Sequence, residues 1–376
     1  MRPLRREVLR KGLLGLGAAG WAALTSWPRA RAADTLKVGY MSSVTDNDKS
    51  WGQSQHEVLA RVGRELNASE HKVDFIQTFG VPPPDYAEQA DKLVSQGVRL
   101  IFVLDEGRGP ELYKAGLKHK DLYIAESGTG LADTTPPGTK ELPKNMVVMD
   151  TGYGFAQQHY VFGVLAGKLT KANKVGFVGG EPYPSVVRKG YAFVAGVKDS
   201  NPDADVSQWV WAGKWGDPDL GRNLASLQMA QGVDIILQYA NGTGLGVMQA
   251  CKTRDLPVFG ANWAGLINEF PDICIGVTSA GAANYPGTDD IYKRVIGAVT
   301  TGSFQQQFGG KVVPVPLNGG PLGAWPRPEL NPKWREKFSP AAMAAYDQAL
   351  AAINGGSLTA EKFNQKLEQA KKLLGK

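Results

Sequence analysis

Leu36-Lys37-Val38-Gly39-Tyr40-Met41 and Leu100-Ile101-Phe102-Val103-Leu104 are apolar at nearly every position, and two amphipathic stretches lie between them. In Gln53–Leu66 the apolar residues Val58, Leu59, Val62 and Leu66 recur at intervals of three and four, which marks one face of a helix. Lys72–Gln77 reads as a second strand and Tyr86–Ser95 as a second helix. Strands that are apolar on both faces belong in parallel sheets covered by helices on each side. Leu122–Ala125 and Met146–Met149 extend the series. The pattern then restarts with helix Phe155–Leu169, strand Lys174–Val178, helix Val186–Ser200, strand Val206–Trp211, helix Leu220–Gln231, strand Asp234–Gln238, helix Gly244–Thr253 and strand Pro257–Phe259. Two successive series predict two doubly wound α/β lobes, each a three-layer sandwich. Beyond them come Cys274–Thr278, a helix near Asp289–Thr301, a Gly/Pro-rich stretch over Gly309–Pro328, and two helices, Pro340–Ile353 and Thr359–Leu374.

The 376 residues are 43% hydrophobic and 21% charged, a globular composition of about two domains by length. The net charge of +6 resides in residues 1–33, which hold seven basic side chains and one acidic one. The remainder is neutral and gives no ground for a nucleic-acid partner. Residues 1–33 read as an export signal: Arg5-Arg6 at the start, an apolar run Gly12–Leu24, and Ala30-Arg31-Ala32 before Ala33. The paired arginines are similar to a twin-arginine signal, with a generic secretory signal as the alternative. Cleavage near Ala32/Ala33 and a soluble periplasmic product are the expectation. Gly15-Leu16-Gly17-Ala18-Ala19-Gly20 fits a dinucleotide pattern but lacks the preceding strand that such sites need.

In open α/β sheets ligands sit beyond the C-terminal ends of strands, so the residues after each strand are the ones to inspect. After the first strand come Ser42, then Asn47 and Asp48, with Trp51 at the entrance of the next helix. Capping explains the acids, whereas an exposed aromatic beside polar groups points to binding. After the third strand comes Asp105. In the second series Trp215 lies in a loop before Asp217-Pro218-Asp219, Asn241 and Gly242 form a flexible turn, and Asn262-Trp263 follow the next strand. No Lys-Ser/Thr follows the Asn241 turn, which excludes a P-loop. Aromatic and amide groups at strand ends in both lobes suit a small, flat, neutral ligand. The four histidines (His56, His71, His119, His159) lack metal-ligand spacing and no G-x-S-x-G elbow occurs, so neither metal, cofactor nor catalysis is expected. Cys251 is expected on a helix and Cys274 on a strand. A disulfide and two buried thiols both remain open.

Several stretches together resemble the basic membrane protein (BMP) family of substrate-binding proteins for ABC transporters, which includes purine nucleoside receptors. They are Asp48-Lys49-Ser50-Trp51-Gly52-Gln53-Ser54, Gly163–Gly176, Ala195-Gly196-Val197-Lys198 with Asn201-Pro202, Gln231–Ile236, Asn241–Gly246 and Val258-Phe259-Gly260. The resemblance runs from about Leu36 to Phe304. It implies a type I periplasmic-binding fold whose lobes are joined by a three-strand hinge. The lobes would be 34–151 plus 280–305 and 152–279 plus 306–330, with a C-terminal helical extension over 331–376. It further implies hinge closure on a purine-like ligand, an ABC permease as partner, and a monomer. A ligand-presenting sensor is the first alternative and an exported nucleoside-processing enzyme the second. By position Trp51 and Trp215 look like the aromatic pair that sandwiches the base, and Asn241-Gly242 like the turn that touches the sugar. Asn262 stands where nucleoside binders have Asp, Ser42 stands near a common Asp, and no Lys occurs around Ser279-Ala280. Losing a charge-assisted contact at Asn262 removes about 1–2 kcal/mol of ribose recognition, leaving a free base, a modified nucleoside or another planar heterocycle.

Overall fold

The computed structural model describes residues 35–375 apart from 70–71, 106–107 and 286. The expected leader, residues 1–33, lies outside the described residues. Strands β1 (Leu36–Met41), β2 (Val73–Thr78), β3 (Leu100–Val103), β4 (Tyr123–Ser127) and β5 (Met146–Asp150) pair in parallel in the order β5-β4-β3-β1-β2. The second series repeats this winding. Strands β6 (Lys174–Gly179), β7 (Asp205–Trp211), β8 (Ile235–Tyr239), β9 (Val258–Trp263) and β10 (Cys274–Gly281) run in the order β10-β9-β8-β6-β7.

The period-two pattern of the strands accounts for the layers. In the first sheet Val38, Tyr40, Leu100 and Phe102 face the helices Trp51–Asn67 and Asp289–Thr300, where they meet Val58, Val62, Tyr292 and Val295. Met41, Ile101 and Val103 point the other way, toward Tyr86, Leu93 and Leu112. Successive side chains of a strand alternate between faces, so a run that is apolar throughout needs a helix on each side.

Two further strands emerge from the Gly/Pro-rich region, where none was expected. Strand β11 (Lys311–Pro314) pairs in parallel with β5 in the first sheet, and β12 (Glu329–Leu330) pairs antiparallel with β10 in the second. The expected grouping of 306–330 with the second lobe is therefore corrected at β11. Its approach follows from Gly310, whose φ of +72° turns the chain back after the helix Phe304–Gln307. The turn seats Val313 beside the first sheet's core. The chain thus passes between the sheets three times, after β5, after β10 and after β11. A helix over Gly109–Lys118 also went unread, because Gly109 and Pro110 at its start look like loop residues. Pro at the first helical turn is in fact favourable.

The helix Thr151–Leu169 is buried nearly all round, as expected of one apolar on every face. It packs on Pro184–Ser200 through backbone contact at two glycines. A Cβ at Gly163 would lie 2.1 Å from the Phe193 carbonyl oxygen, and one at Gly196 would lie 2.1 Å from that of Tyr160. The helices Pro340–Asn354 and Ala360–Leu373 cover this pair, with Phe363 set edge-on to Tyr153 and Tyr160 at 5.7 and 5.9 Å.

Both cysteines are free and buried, Cys251 on the helix Asn241–Thr253 and Cys274 at the start of β10. Burial pushes each thiol up to about 12. A thiol reagent is expected to leave the native chain unmodified at pH 8 and to label both positions after unfolding. Rapid labelling of the native chain would contradict this burial. No described helix is long and apolar enough to cross a membrane.

Candidate functional site

In each sheet the chain winds outward in both directions from one strand, β1 in the first and β6 in the second. The crevices beyond β1/β3 and β6/β8 are therefore the topological switch points, where open α/β sheets bind ligands. The two crevices share one cleft of about 550 Å³, solvent at its mouth included.

The wall from the first lobe is organised by Asp105, just after β3. Its carboxylate accepts from Ser42 Oγ (3.0 Å), Ser43 Oγ (2.8 Å), the Ser43 backbone N–H, Tyr86 OH (3.0 Å) and Trp51 Nε1 (3.1 Å). Trp51, 8% exposed, opens its helix with its ring tilted against Phe155 at 5.9 Å. Arg108 donates to Ser43 Oγ at 3.2 Å and lies over the Tyr86 ring.

The facing wall is aromatic. Trp215 stacks on Tyr183 at 6.3 Å, nearly parallel, and meets the Tyr239 ring edge-on at 6.4 Å. Tyr183 and Arg108, from opposite lobes, both line the cleft. Phe155 contacts Tyr239 at 5.7 Å and Trp325 at 4.6 Å. Lys189, though 1% exposed, donates to Tyr239 OH at 2.9 Å and stands 4.3 Å from that ring's centre. Behind it His159 is held neutral: burial, reinforced by the charge of Lys189, lowers its pKa to about 3.

Side chains also join the lobes directly. Ser50 Oγ donates to Asn241 Oδ1 at 2.9 Å, and Asn262 Nδ2 donates to Ser50 Oγ at 3.1 Å and to Asn241 Oδ1 at 2.9 Å. Lys49 pairs with Glu269 at 2.8 Å. Lys49, Asn241 and Asn262 all have positive φ (51°, 47° and 70°). Such backbone strain in non-glycine residues gathers where a site needs a particular geometry.

Of the residues picked out from the sequence, Trp51, Asp105, Trp215, Asn241 and Asn262 line the cleft, while Ser42, Asn47, Asp48, Gly242 and Trp263 do not. Ser42 is buried beneath Asp105. The Asp48 carboxylate accepts from the backbone N–H groups of Ser50, Gly52 and Gln53, so it serves the helix start. Asn47 is exposed. Gly242 packs its backbone near Trp215 and Gly216. Trp263 Nε1 donates to Glu57 Oε2 at 3.2 Å, a bond between lobes.

Phe155, Tyr183 and Lys189 were not singled out from the sequence. The loop carrying Tyr183 follows β6, a switch-point strand, so position alone pointed to it. Lys189 falls on the apolar stripe Val186, Gly190, Phe193, Val197 of its helix, and a lysine on such a stripe is a legible signal. Phe155 gave none, since it is one apolar residue in an apolar helix.

A family model described as ABC transporter substrate-binding protein PnrA-like, named Bmp, matches residues 35–263. The chain belongs to the Bmp family. Among its relatives, a purine-binding protein of Brucella abortus is 28% identical over 231 residues, 61% of each chain. The ABC transporter nucleoside-binding protein BmpA of Lactococcus lactis is 29% identical over 219 residues, 55% of each chain. The match thus spans under two thirds of either relative's length. Both are named as binding proteins, and neither as an enzyme. An ABC transporter solute-binding protein from Aeropyrum pernix has the same fold, with a TM-score of 0.68 at 19% identity over 90% of this chain and 98% of that one. A transcriptional activator of the comK gene from Bacillus halodurans shares it too, with a TM-score of 0.62 at 18% identity over 86% and 98%. Those likenesses establish the two-lobed type I periplasmic-binding architecture of this Bmp chain, and the architecture serves more than one role.

Proposed function

We propose that the chain is the exported substrate-binding component of an ABC importer, taking a flat purine-like base or nucleoside into the cleft and delivering it to a membrane permease. The observation that carries this reading is the cleft itself, with the Trp51 and Trp215 indoles supplied by opposite lobes among a few placed polar groups. Aromatic faces suit a planar heterocycle because every base has a π-face to stack. Closure of the lobes excludes water, so Asn241 and Asn262 in the cleft wall select orientation more strongly than they would in solvent. The chain acts alone as a periplasmic monomer until it docks, and transport energy comes from the importer's ATPase.

Calorimetric titration with adenine, guanine, hypoxanthine and the matching nucleosides tests the proposal, beside mass spectrometry of ligand retained on gentle purification. Saturable binding of one of these at micromolar concentration or below is expected. Heat from none of them, or turnover of a nucleoside, would overturn it. Trp215→Ala is expected to weaken the bound compound by about 1–3 kcal/mol, the range for one base stacked on one aromatic ring. An unchanged affinity would remove Trp215 from the binding surface.

A further inference from the structure

We propose that Asp105 is a positioning residue, fixing the indole of Trp51 in the cleft wall without itself contacting the ligand. The inference rests on the reading that the Trp51 ring meets a bound heterocycle. A carboxylate has about four lone-pair sites. Five donor groups of this chain already converge on Asp105. Trp51 Nε1 and Ser42 Oγ reach Oδ1 at 3.1 and 3.0 Å, while Tyr86 OH, Ser43 Oγ and the Ser43 backbone N–H reach Oδ2. Ser42 Oγ also approaches Oδ2 at 3.2 Å. Both oxygens are saturated from within the lobe, so no acceptor direction is left for a ligand.

The arrangement explains why an acid sits there at all. Trp51 is the first residue of its helix, where no preceding turn of that helix confines its side chain. Its ring contact with Phe155 is tilted, at 52°, and a tilted contact alone fixes the plane loosely. The N–H bond to Asp105 supplies the missing restraint. Asp105 is in turn held by Ser42 and Ser43 after β1 and by Tyr86 from the helix Tyr86–Ser95. The indole plane is therefore referenced to two strands and a second helix before any ligand arrives. Locking an aromatic wall in advance reduces the ordering lost on binding.

The test compares the wild type with Trp51→Phe, Asp105→Asn and the double variant. Affinity is read by calorimetry with adenine and adenosine, and the indole N–H groups by nitrogen-edited NMR. The Trp51 signal is assigned by its absence in Trp51→Phe. In the wild type it is expected to exchange slowly with solvent, and in Asp105→Asn to shift. Asp105→Asn should weaken the bound probe about five- to tenfold. In the Trp51→Phe background, which has no N–H to hold, the same change should alter affinity by less than about twofold.

Losses that multiply in the double variant would show Asp105 meeting the ligand directly and would overturn the proposal. So would a Trp51 signal unmoved by Asp105→Asn. If Asp105→Asn does not fold, the exchange rate in the folded wild type decides: a slow rate supports the Asp105 bond and a fast one overturns it. If neither probe binds the wild type, the binding reading fails for those probes, while the indole signal still decides whether Asp105 holds Trp51.

Discussion

Phe155→Ala is expected to lower the unfolding free energy by about 3–5 kcal/mol, the usual loss when a buried phenylalanine is cut back to alanine, and, on the proposed function, to abolish binding of the base or nucleoside that the wild type takes. The size follows from what the ring supports. Phe155 is 1% exposed and touches Trp51, Tyr239 and Trp325, with the Lys189 ammonium 4.9 Å from its centre. It is the fifth residue of the helix that begins directly after Asp150, where the chain first passes between the sheets. Asp150 is fixed there on both sides, capping Tyr153 N–H at 3.1 Å and pairing bidentately with Arg188. Neighbours on so rigid a base cannot close in on the vacated volume, so much of the cavity persists and the transfer and cavity terms add. Trp51 and Tyr239 lose their common support, and Lys189 loses one of two aromatic faces. Denaturant unfolding followed by tryptophan fluorescence measures the first effect, and titration of the folded variant with the same bases measures the second. A stability loss under about 1 kcal/mol would mean that the ring is dispensable, against the packing that places it.

The same residue shows what sequence could and could not deliver. The two winding series were legible because strands buried on both faces leave continuous apolar runs, and Tyr86–Ser95 begins and ends where its spacing predicts. Strand β11 was not legible. Lys311 and Val312 are exposed and Val313 alone is buried in the core, so an edge strand of four residues gives neither alternation nor a run. In the cleft, residues at strand ends could be located, but not what each was bonded to. Asp105 reads as a free acid in the sequence, yet its five donors come from three separate segments. Asp48 reads identically and is used by the backbone two to five residues on. Local capping leaves a signature within one turn; a network gathered from distant segments leaves none.

Glu126 carries the same lesson to a larger electrostatic effect. It lies in β4 between Val103 of β3 and Val148 of β5, 1% exposed, with neither carboxyl oxygen hydrogen-bonded. Burial, and secondarily the charge of Asp133, raise its pKa well above the usual carboxylate range. The Asp133 carboxyl group accepts from the N–H groups of Thr129 and Gly130, which fixes its position. The folded chain therefore holds a proton on Glu126 that the unfolded chain gives up near pH 4.3. Its contribution to stability is complete below that value and is lost as pH rises toward the folded pKa, by about 1.4 kcal/mol for each pH unit in the window. Glu126→Gln keeps the shape and removes the titration. It is expected to match the wild type near pH 4 and to become progressively more stable than it from pH 5 upward, although no contact has been added. Denaturant midpoints of both proteins across pH 4–8 supply the measurement. A difference that does not change with pH would mean that Glu126 titrates alike in the folded and unfolded chains, against its burial. One that grows toward acid pH would reverse the assigned sign.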